Sequence, residues 1–406
     1  MKKRIVCTVS VIFALAVVLN LLAWNSRSFC DFYVMHIFPL ILGTYGRITS
    51  LFQISVGEMM IAILILLLAT AIIFGFVAII FFTAKKKKSQ RCQLTNKEKK
   101  HYHYLKKVTC GFYKGLLILA ANVFLLMTLN CFILYHCSTF EEKYMSELLT
   151  DKKEYTIEEL AELRDYVVMK TNEYARMMNR DERGIIQYDG DMPQEAIESM
   201  RSLGDTYPQL AGYYPTPKKI TSSAFISQQY MQGYYFPFSM EANYNDVMYV
   251  MCQPSTMCHE LAHTKGFIYE DEANLIGFLA CVNSDDVVFQ YSGYLSVLNY
   301  IDNDFKESIQ EKPEIYNTHV KISSQVKLDN VFLTQDAWAE VETKAVVSTK
   351  TVKTVSRKMV NTSLVLNGIE QGSANYSEVV GLLMDYYSNQ ADEVIQGEEY
   401  IVRNDT

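Results

Sequence analysis

Histidine is scarce in this chain, with seven residues among 406. Only three of them, His259, His263 and His319, lie beyond residue 136. Any metal site in that part of the chain therefore has few nitrogen ligands to draw on. The nine cysteines include no C-x-x-C pair, which disfavours zinc held by thiolates.

Charged side chains are absent from three long stretches near the N-terminus, residues 5–24, 59–83 and 115–136. A helix rises about 1.5 Å per residue, so each stretch is long enough to cross a bilayer core of about 30 Å. The sequence predicts three transmembrane helices and a membrane anchor over residues 1–136. A cleaved signal peptide is the alternative for the first stretch, although its apolar run exceeds the usual length.

Basic residues set the expected orientation of these spans. Residues 85–107 carry ten Lys and Arg against one acid, Glu98, whereas residues 25–58 carry only Arg27 and Arg47. By the positive-inside rule, the N-terminus and a Lys-rich loop over residues 84–114 are cytoplasmic. Three crossings then place residues 137–406 outside the cytoplasm, as an extracytoplasmic domain of a multi-pass cell-membrane protein.

Net charge differs between the two parts of the chain. Residues 1–136 have 16 Lys and Arg against 3 Asp and Glu, a net charge of +13, so the whole-chain charge of −7 leaves −20 for residues 137–406. An acidic domain would repel a phosphate backbone, which argues against nucleic acid as a partner. The Lys-rich loop is expected to lie against anionic membrane lipid.

The outer part is predicted to be a mostly helical α+β domain. A capping box at Thr156–Glu159 opens a helix to about Asn179, and the Pro-, Gly- and Tyr-rich residues 207–245 indicate short strands and turns. Within them, residues 241–245 are either a sheet edge for an added peptide strand or a turn. Further predictions are a strand over 247–252 and helices over 270–282, 287–310, 322–340, 352–366 and 375–388.

The run His259-Glu260-Leu261-Ala262-His263 carries the strongest chemical signal. Residues four apart on a helix share a face, so the two imidazoles can bind one zinc ion. Glu260 is turned about 100° from His259, which suits a general base beside an open coordination position better than a ligand. A surface helix with an incidental histidine pair is the alternative.

The third ligand is predicted to be a carboxylate. Metzincins place a third His six residues after the second, but position 269 is Tyr. Gluzincins use E-x-x-x-[D/N] on the next helix, and Glu270 to Asn274 matches that pattern, with Asn274 orienting a ligand His. We choose Glu270, with Glu272, Asp271 and His319 as alternatives. The short separation from His263 requires a tight turn, which Gly266 permits.

Two cysteines flank this motif. Cys258 precedes the first ligand, and Cys281 lies on what should be the next helix. They are either a disulfide that ties the two helices together or two buried free thiols.

Several segments together resemble an uncharacterised bacterial membrane family, catalogued as a domain of unknown function, with three N-terminal spans and an outer HExxHxxGF…EDEAN domain. The segments are PFSMEANYN (237–245), HELAHTKGFIYEDEANLIGFLAC (259–281), YSGYL (291–295) and residues 38–58 before the second span. The resemblance implies a membrane zinc metallopeptidase, gluzincin-like, of unknown substrate. Tyr269 stands where Arg is expected, which puts local substrate contacts in doubt but leaves the metal ligands in place.

The expected function is hydrolysis of a peptide or protein substrate outside the cytoplasm, with Zn²⁺ held by His259, His263 and Glu270 and with Glu260 as general base. His319, Tyr376 and Tyr291 are eligible oxyanion donors, and the sequence does not rank them. Two other readings stay open. One is a membrane sensor that binds zinc or a ligand without catalysis, and the other is a zinc hydrolase of a non-peptide amide.

Overall fold

The structure is a computed structural model, and it describes residues 2–91, 95–145, 155–366 and 378–388. Most of these residues are helical, and one small sheet has three strands. Tyr376 and the first residues of the helix predicted over 375–388 lie outside the described residues, whereas residues 379–388 are helical.

Three helices near the N-terminus are long and apolar enough to cross a membrane: Arg4–Asn25, Val56–Ala84 and the stretch Asn96–His136. In the second, none of the most apolar window is buried, and side chains such as Leu66 and Phe76 are more than 60% exposed. A bilayer is the solvent in which such a surface is stable. The chain is therefore a membrane protein anchored near its N-terminus.

The membrane part is built from six helices and two π-helical stretches. They are α1 (Lys2–Asn25), α2 (Arg27–Phe32), a π-helix (Tyr33–Ile37), α3 (Phe38–Ile41), a second π-helix (Leu42–Gly46), α4 (Arg47–Thr49), α5 (Val56–Arg91) and α6 (Asn96–Met127). Beyond α6 the chain continues as a π-helix (Thr128–Phe132) and a 3₁₀ helix (Leu134–His136). Helix α1 packs on α6, and Asn20 Nδ2 donates to Thr128 Oγ1 at 2.7 Å.

The Lys-rich segment over residues 84–114, predicted to connect the second and third spans in the cytoplasm, is mostly helical in the described residues. Helix α5 runs to Arg91 and α6 begins at Asn96, which leaves only a short connection. Thr95 caps α6 in a capping box with Glu98. Lys and Glu are good helix formers, which favours a helix on each side of the connection. The capping box sets where the second of these helices begins.

Besides the helical residues 379–388, the described part of the remainder contains ten further helices, a three-stranded sheet and several 3₁₀ turns. The helices are α7 (Phe140–Tyr144), α8 (Ile157–Ala175), α9 (Met192–Ser202), α10 (Ser223–Gln228), α11 (Gln253–Thr264), α12 (Glu270–Val282), α13 (Val287–Ser308), α14 (Ser324–Asp329), α15 (Gln335–Lys344) and α16 (Thr349–Leu366). The 3₁₀ turns are Leu203–Asp205, Pro208–Leu210, Val250–Cys252 and Pro313–Thr318. The main apolar core lies where α11, α12 and α13 meet α8 and α9, and it buries Leu261, Phe278 and Phe289 completely.

The sheet has the order β1 (Lys218–Lys219), β3 (Glu241–Tyr244), β2 (Gly233–Phe236). Strand β3 pairs parallel with β1 and antiparallel with β2, where Gly233 lies opposite Tyr244 and Phe236 opposite Glu241. The segment proposed as a sheet edge is therefore the central strand. Among the described strands, β2 is the edge beside helix α11.

A second apolar cluster joins the segment between the first two spans to the rest of the protein. Tyr33, Val34, Phe38 and Leu42 pack with Leu134, Met240 and Ile268, among others. Polar contacts add to it, since Tyr45 donates its hydroxyl to Phe238 O at 2.7 Å and Thr49 donates to Ser239 O at 2.8 Å. The sheet therefore rests on residues that precede the second span.

Some predictions of helices and strands beyond residue 136 are confirmed, and others are wrong. The capping box of Thr156 with Glu159 is confirmed, although its helix α8 ends at Ala175. Helix α12 has the predicted bounds, and α13 ends two residues early. The strand predicted over residues 247–252 is wrong, because this apolar run forms a 3₁₀ turn that leads directly into α11.

Candidate metal centre

Helix α11 presents two imidazoles to the same point. His259 and His263 are one turn apart, and their Nε2 atoms are 3.1 Å from each other. Two nitrogens that bind one zinc ion at 2.0–2.1 Å with tetrahedral angles are about 3.3 Å apart. The spacing of the pair therefore suits a shared ion.

The other nitrogen of each ring is held by a hydrogen bond. His263 Nδ1 lies 2.7 Å from Phe267 O, and His259 Nδ1 lies 2.9 Å from Asn274 Oδ1. Both partners are oxygens that accept, so each Nδ1 carries the hydrogen and each Nε2 keeps its lone pair. The contact of Asn274 with one of the two histidines, predicted from the E-x-x-x-N spacing, is present.

Glu270 supplies the nearest carboxylate. It is the first residue of α12, and its Oε2 lies 3.1 Å from His259 Nε2 and 3.9 Å from His263 Nε2. One ligand atom from each of the three residues falls within 4.8 Å of the others. Gly266 makes the turn between the helices with φ of +93°, where a Cβ would be 2.5 Å from Val34 Cγ2, so the tight turn predicted there is present.

The alternative third ligands lie elsewhere. Glu272 accepts a hydrogen bond from the backbone N–H of Phe140, at the start of α7. His319 Nδ1 is 2.9 Å from Asp165 Oδ2, and its ring packs on Phe305. Asp271 is buried without joining the cluster of His259, His263 and Glu270.

Glu260 is buried beside this cluster and held from one side. The backbone N–H of Tyr235 in β2 donates to its carboxylate. Its Oε2 atom has no hydrogen-bond partner among the described residues. A Cβ at Gly233 would lie 2.7 Å from Glu260 Oε1, so only glycine allows β2 to approach this closely. One oxygen is thus positioned by the strand while the other has no protein partner.

The electrostatics of the cluster follow from burial and mutual charge. Burial raises the pKa of Glu260 to about 8, and burial together with the charge of His259 lowers the pKa of His263 to about 4. Burial lowers the pKa of His259 too, but the hydrogen bond and charge of Glu270 outweigh it and the net shift is upward. Burial and neighbouring charges therefore shift the pKa values of the two histidines in opposite directions.

A cleft of about 710 Å³ opens onto the cluster. Its walls come from β2, α11, α13 and the end of the third apolar stretch, including Tyr135, Tyr235, Ile268, Asn299, Tyr300 and Asn303. This volume is in the range of ligand-binding clefts.

Two further residues of the cleft were missed by sequence reasoning. Tyr300 on α13 lines it, and burial followed by the charge of Glu270 raises the pKa of its hydroxyl. Gly233 brings the strand against Glu260. Neither belongs to a recognisable motif, because each reaches the site from a distant part of the chain.

Two of the oxyanion donors considered from sequence, His319 and Tyr291, do not line the cleft. His319 is paired with Asp165, and Tyr291 donates to Asp329 Oδ2 at 2.8 Å. Tyr376 lies outside the described residues. Tyr300 does line the cleft, and burial followed by the charge of Glu270 raises the pKa of its hydroxyl.

Cys258 and Cys281 are both buried, with their sulfurs 3.8 Å apart. A disulfide bond is about 2.05 Å long. The structure therefore has two neighbouring thiols, which is the second of the two alternatives, and they pack α11 against α12.

Comparison with known proteins gives one match. The model of a family described as "Protein of unknown function (DUF3810)" matches residues 33–384, most of the chain. No curated protein and no solved structure matches.

Proposed function

We propose that this chain, which belongs to the DUF3810 family of proteins of unknown function, is a membrane-bound zinc peptidase. The observation that carries the proposal is the convergence of three atoms, His259 Nε2, His263 Nε2 and Glu270 Oε2. Beside them lies Glu260 Oε2, which has no hydrogen-bond partner among the described residues. Three protein ligands leave one tetrahedral position open, which distinguishes catalytic from structural zinc sites.

The donor set suits zinc for three reasons. Two neutral imidazoles and a carboxylate are ligands that Zn²⁺ accepts. Their Nε2 and Oε2 atoms converge at short distances, an arrangement that a cation stabilises. Asn274 and the Phe267 carbonyl orient both rings, as the outer partners of zinc-bound histidines do.

The residues of the cleft then divide the work of amide hydrolysis. When bound, zinc would supply Lewis-acid chemistry that activates water and polarises a carbonyl. Glu260 accepts the proton of the attacking water at Oε2 and delivers it to the leaving amine nitrogen. Tyr300 donates its hydroxyl to the substrate carbonyl oxygen as that oxygen gains charge. The backbone N–H of Tyr235 keeps the Glu260 carboxylate turned toward the cleft.

The proposed location follows from the charges of the sequence. The N-terminus and the Lys-rich residues 85–107, which include the end of α5 and the start of α6, lie in the cytoplasm against anionic lipid, and residues 137–406 lie outside. The net charge of −20 in that outer part supports a polypeptide substrate rather than nucleic acid.

The test uses the full chain purified in mild detergent, because residues 26–55 pack against the sheet. Bound zinc is measured by elemental analysis, and cleavage is measured with a concentrated random peptide library. Glu260→Gln is expected to keep its zinc and to lose cleavage by about 10²- to 10⁴-fold.

Glu272→Gln is the matched control, since it alters a buried acid that faces away from the cleft. It should cleave like the wild type. Zinc-loaded wild type and Glu260→Gln that behave identically would refute the peptidase and favour the sensor. Protein that holds no zinc after careful preparation would refute the metal site.

A further inference from the structure

The cleft lies close to the outer ends of the membrane spans. Tyr269, which immediately precedes Glu270, donates its hydroxyl to Tyr135 O at 2.8 Å. Tyr135 and Cys131 belong to the third apolar stretch and also line the cleft. Glu270 is thus one residue away from a direct hydrogen bond to a span.

Strand β2 connects the site to a second span. Its first residue, Gly233, contacts Glu260, and its last residue, Phe236, is in contact with Gly57 in the first turn of the span Val56–Ala84. Three residue steps of extended chain cover about 10 Å. The position where Glu260 acts is therefore about 10 Å from the start of that helix.

The outer edge of β2 points along the same line. Asn245 N donates to Gln232 O, which continues the antiparallel pairing of β2 with β3 and directs the N–H and C=O groups of Gly233 and Tyr235 away from β3. Glu260 accepts the Tyr235 N–H, so the N–H and C=O of Gly233 and the C=O of Tyr235 are the groups that this edge offers to another chain. A chain that lies along this edge has one end at Glu260 and the other at the second span.

The polarity of the cleft lining differs between the side near the spans and the opposite side. The residues nearest the spans are apolar or aromatic: Cys131, Tyr135, Tyr235, Pro237 and Ile268. The wall contributed by α13 and the residue after α14 is mostly polar, with Ser296, Asn299, Asn303 and Asn330 beside Leu295 and Tyr300. A substrate with an apolar part toward the membrane and a polar part beyond it matches both walls.

Resting on the proposed peptidase activity, we infer that the substrate is a polypeptide anchored in the same membrane and cut within about ten residues of its own anchor. About three extended residues span the distance from the second span to Glu260. The others allow the substrate to leave its helix and enter the cleft. Tethering also raises the local concentration of the segment without any additional contact.

The experiment places the full chain in lipid nanodiscs, where both membrane faces are accessible. One substrate is a random-sequence segment fused to an apolar helix of about 20 residues, on either end of that helix. The segment is made about twice as long as the proposed reach. The other substrate is the same segment without the helix. Mass spectrometry maps the cut positions for the wild type and for Glu260→Gln.

Glu260-dependent cuts in the tethered segment are expected within about ten residues of the helix, at a rate roughly tenfold or more above that of the free segment. Cuts spread evenly along the tethered segment would overturn the inference and leave the peptidase standing. Equal rates for the two substrates would do the same. Absence of any Glu260-dependent cut would overturn the peptidase and the inference with it.

Discussion

Two glutamates separated by one residue at the start of α12 have different surroundings. Glu270 faces the imidazoles of His259 and His263, while Glu272 accepts the backbone N–H of Phe140. Residues two apart on a helix point about 200° away from each other, so both carboxylates cannot serve one ion.

Substituting each glutamate in turn therefore tests which of the two binds the zinc ion. Loss of an outer partner of a zinc ligand costs about 10- to 100-fold in affinity, and loss of a direct ligand should cost more. We expect Glu270→Gln to weaken zinc binding by roughly 100-fold or more and Glu272→Gln to leave it unchanged. Competition with a fluorescent chelator measures both affinities. Equal affinities of the two variants would contradict the assignment of Glu270.

The candidate metal site was accessible to sequence reasoning because its geometry is local. His259, Glu260 and His263 share one helix, and Glu270 with Asn274 shares the next. Tyr300 and Gly233 were not accessible, since their proximity to the site depends on how α13 and β2 pack. A tyrosine on a Tyr-rich helix or a glycine in a turn-rich segment looks the same whether or not it reaches a cleft.

At the scale of elements, β2 fixes the position of Glu260. The Tyr235 N–H holds the carboxylate, and Gly233 leaves room for it, with a Cβ there 2.6 Å from Asn243 O and 2.7 Å from Glu260 Oε1. The strand cannot move away without breaking its pairing with β3.

Gly233→Ala should therefore displace the carboxylate without removing any ligand. A displacement of about 1 Å in a catalytic group costs about 100-fold in rate. We expect a fall of that order in the turnover number, with zinc content unchanged, by peptide-cleavage kinetics and elemental analysis. Gly115→Ala is the control, because nothing lies within 4 Å of the Cβ it would add. Equal effects of the two substitutions would contradict this role for β2.

The sequence alone did not predict which strands pair in the sheet beside the site. Residues 241–245 are extended as one alternative proposed, but their place between β1 and β2 depends on partners far along the chain. The apolar run 247–252 has the composition of a strand, yet its last three residues form a 3₁₀ turn. This turn leads directly into α11, which has Pro254 in its first turn. A short apolar run does not by itself distinguish a strand from helical structure, and no local pattern identifies the partners of a strand.

At the scale of the whole molecule, a buried ion pair joins the sheet to the second span. Lys218 in β1 and Glu241 in β3 are both almost fully buried and hydrogen-bonded to each other. Lys218 Nζ also donates to Thr49 O at 2.8 Å, and the Glu241 carboxylate accepts the backbone N–H of Gly57 at 2.9 Å. A buried pair needs such additional partners to offset its desolvation.

The three apolar spans were readable from composition alone, whereas this dependence on residues 26–57 was not. In the sequence, the low Lys and Arg content of residues 25–58 bears on the orientation of the spans and not on their packing. In the structure that segment covers one side of the sheet with an apolar cluster and with backbone hydrogen-bond partners.

A fragment of residues 137–406 should consequently be defective even though it contains every proposed zinc ligand. Without residues 1–136, Lys218 and Glu241 lose Thr49 O and Gly57 N, and Met240 and Ile268 lose their apolar cover. Removal of a partner from a buried charge typically costs about 3–5 kcal/mol. We expect this fragment to bind zinc more weakly than the full chain in detergent and to unfold at a lower temperature, by chelator competition and circular dichroism. Co-expression with residues 1–136 as a separate chain should restore both properties. A fragment that matches the full chain in affinity and melting temperature would show that the anchor only tethers the site and does not help to build it.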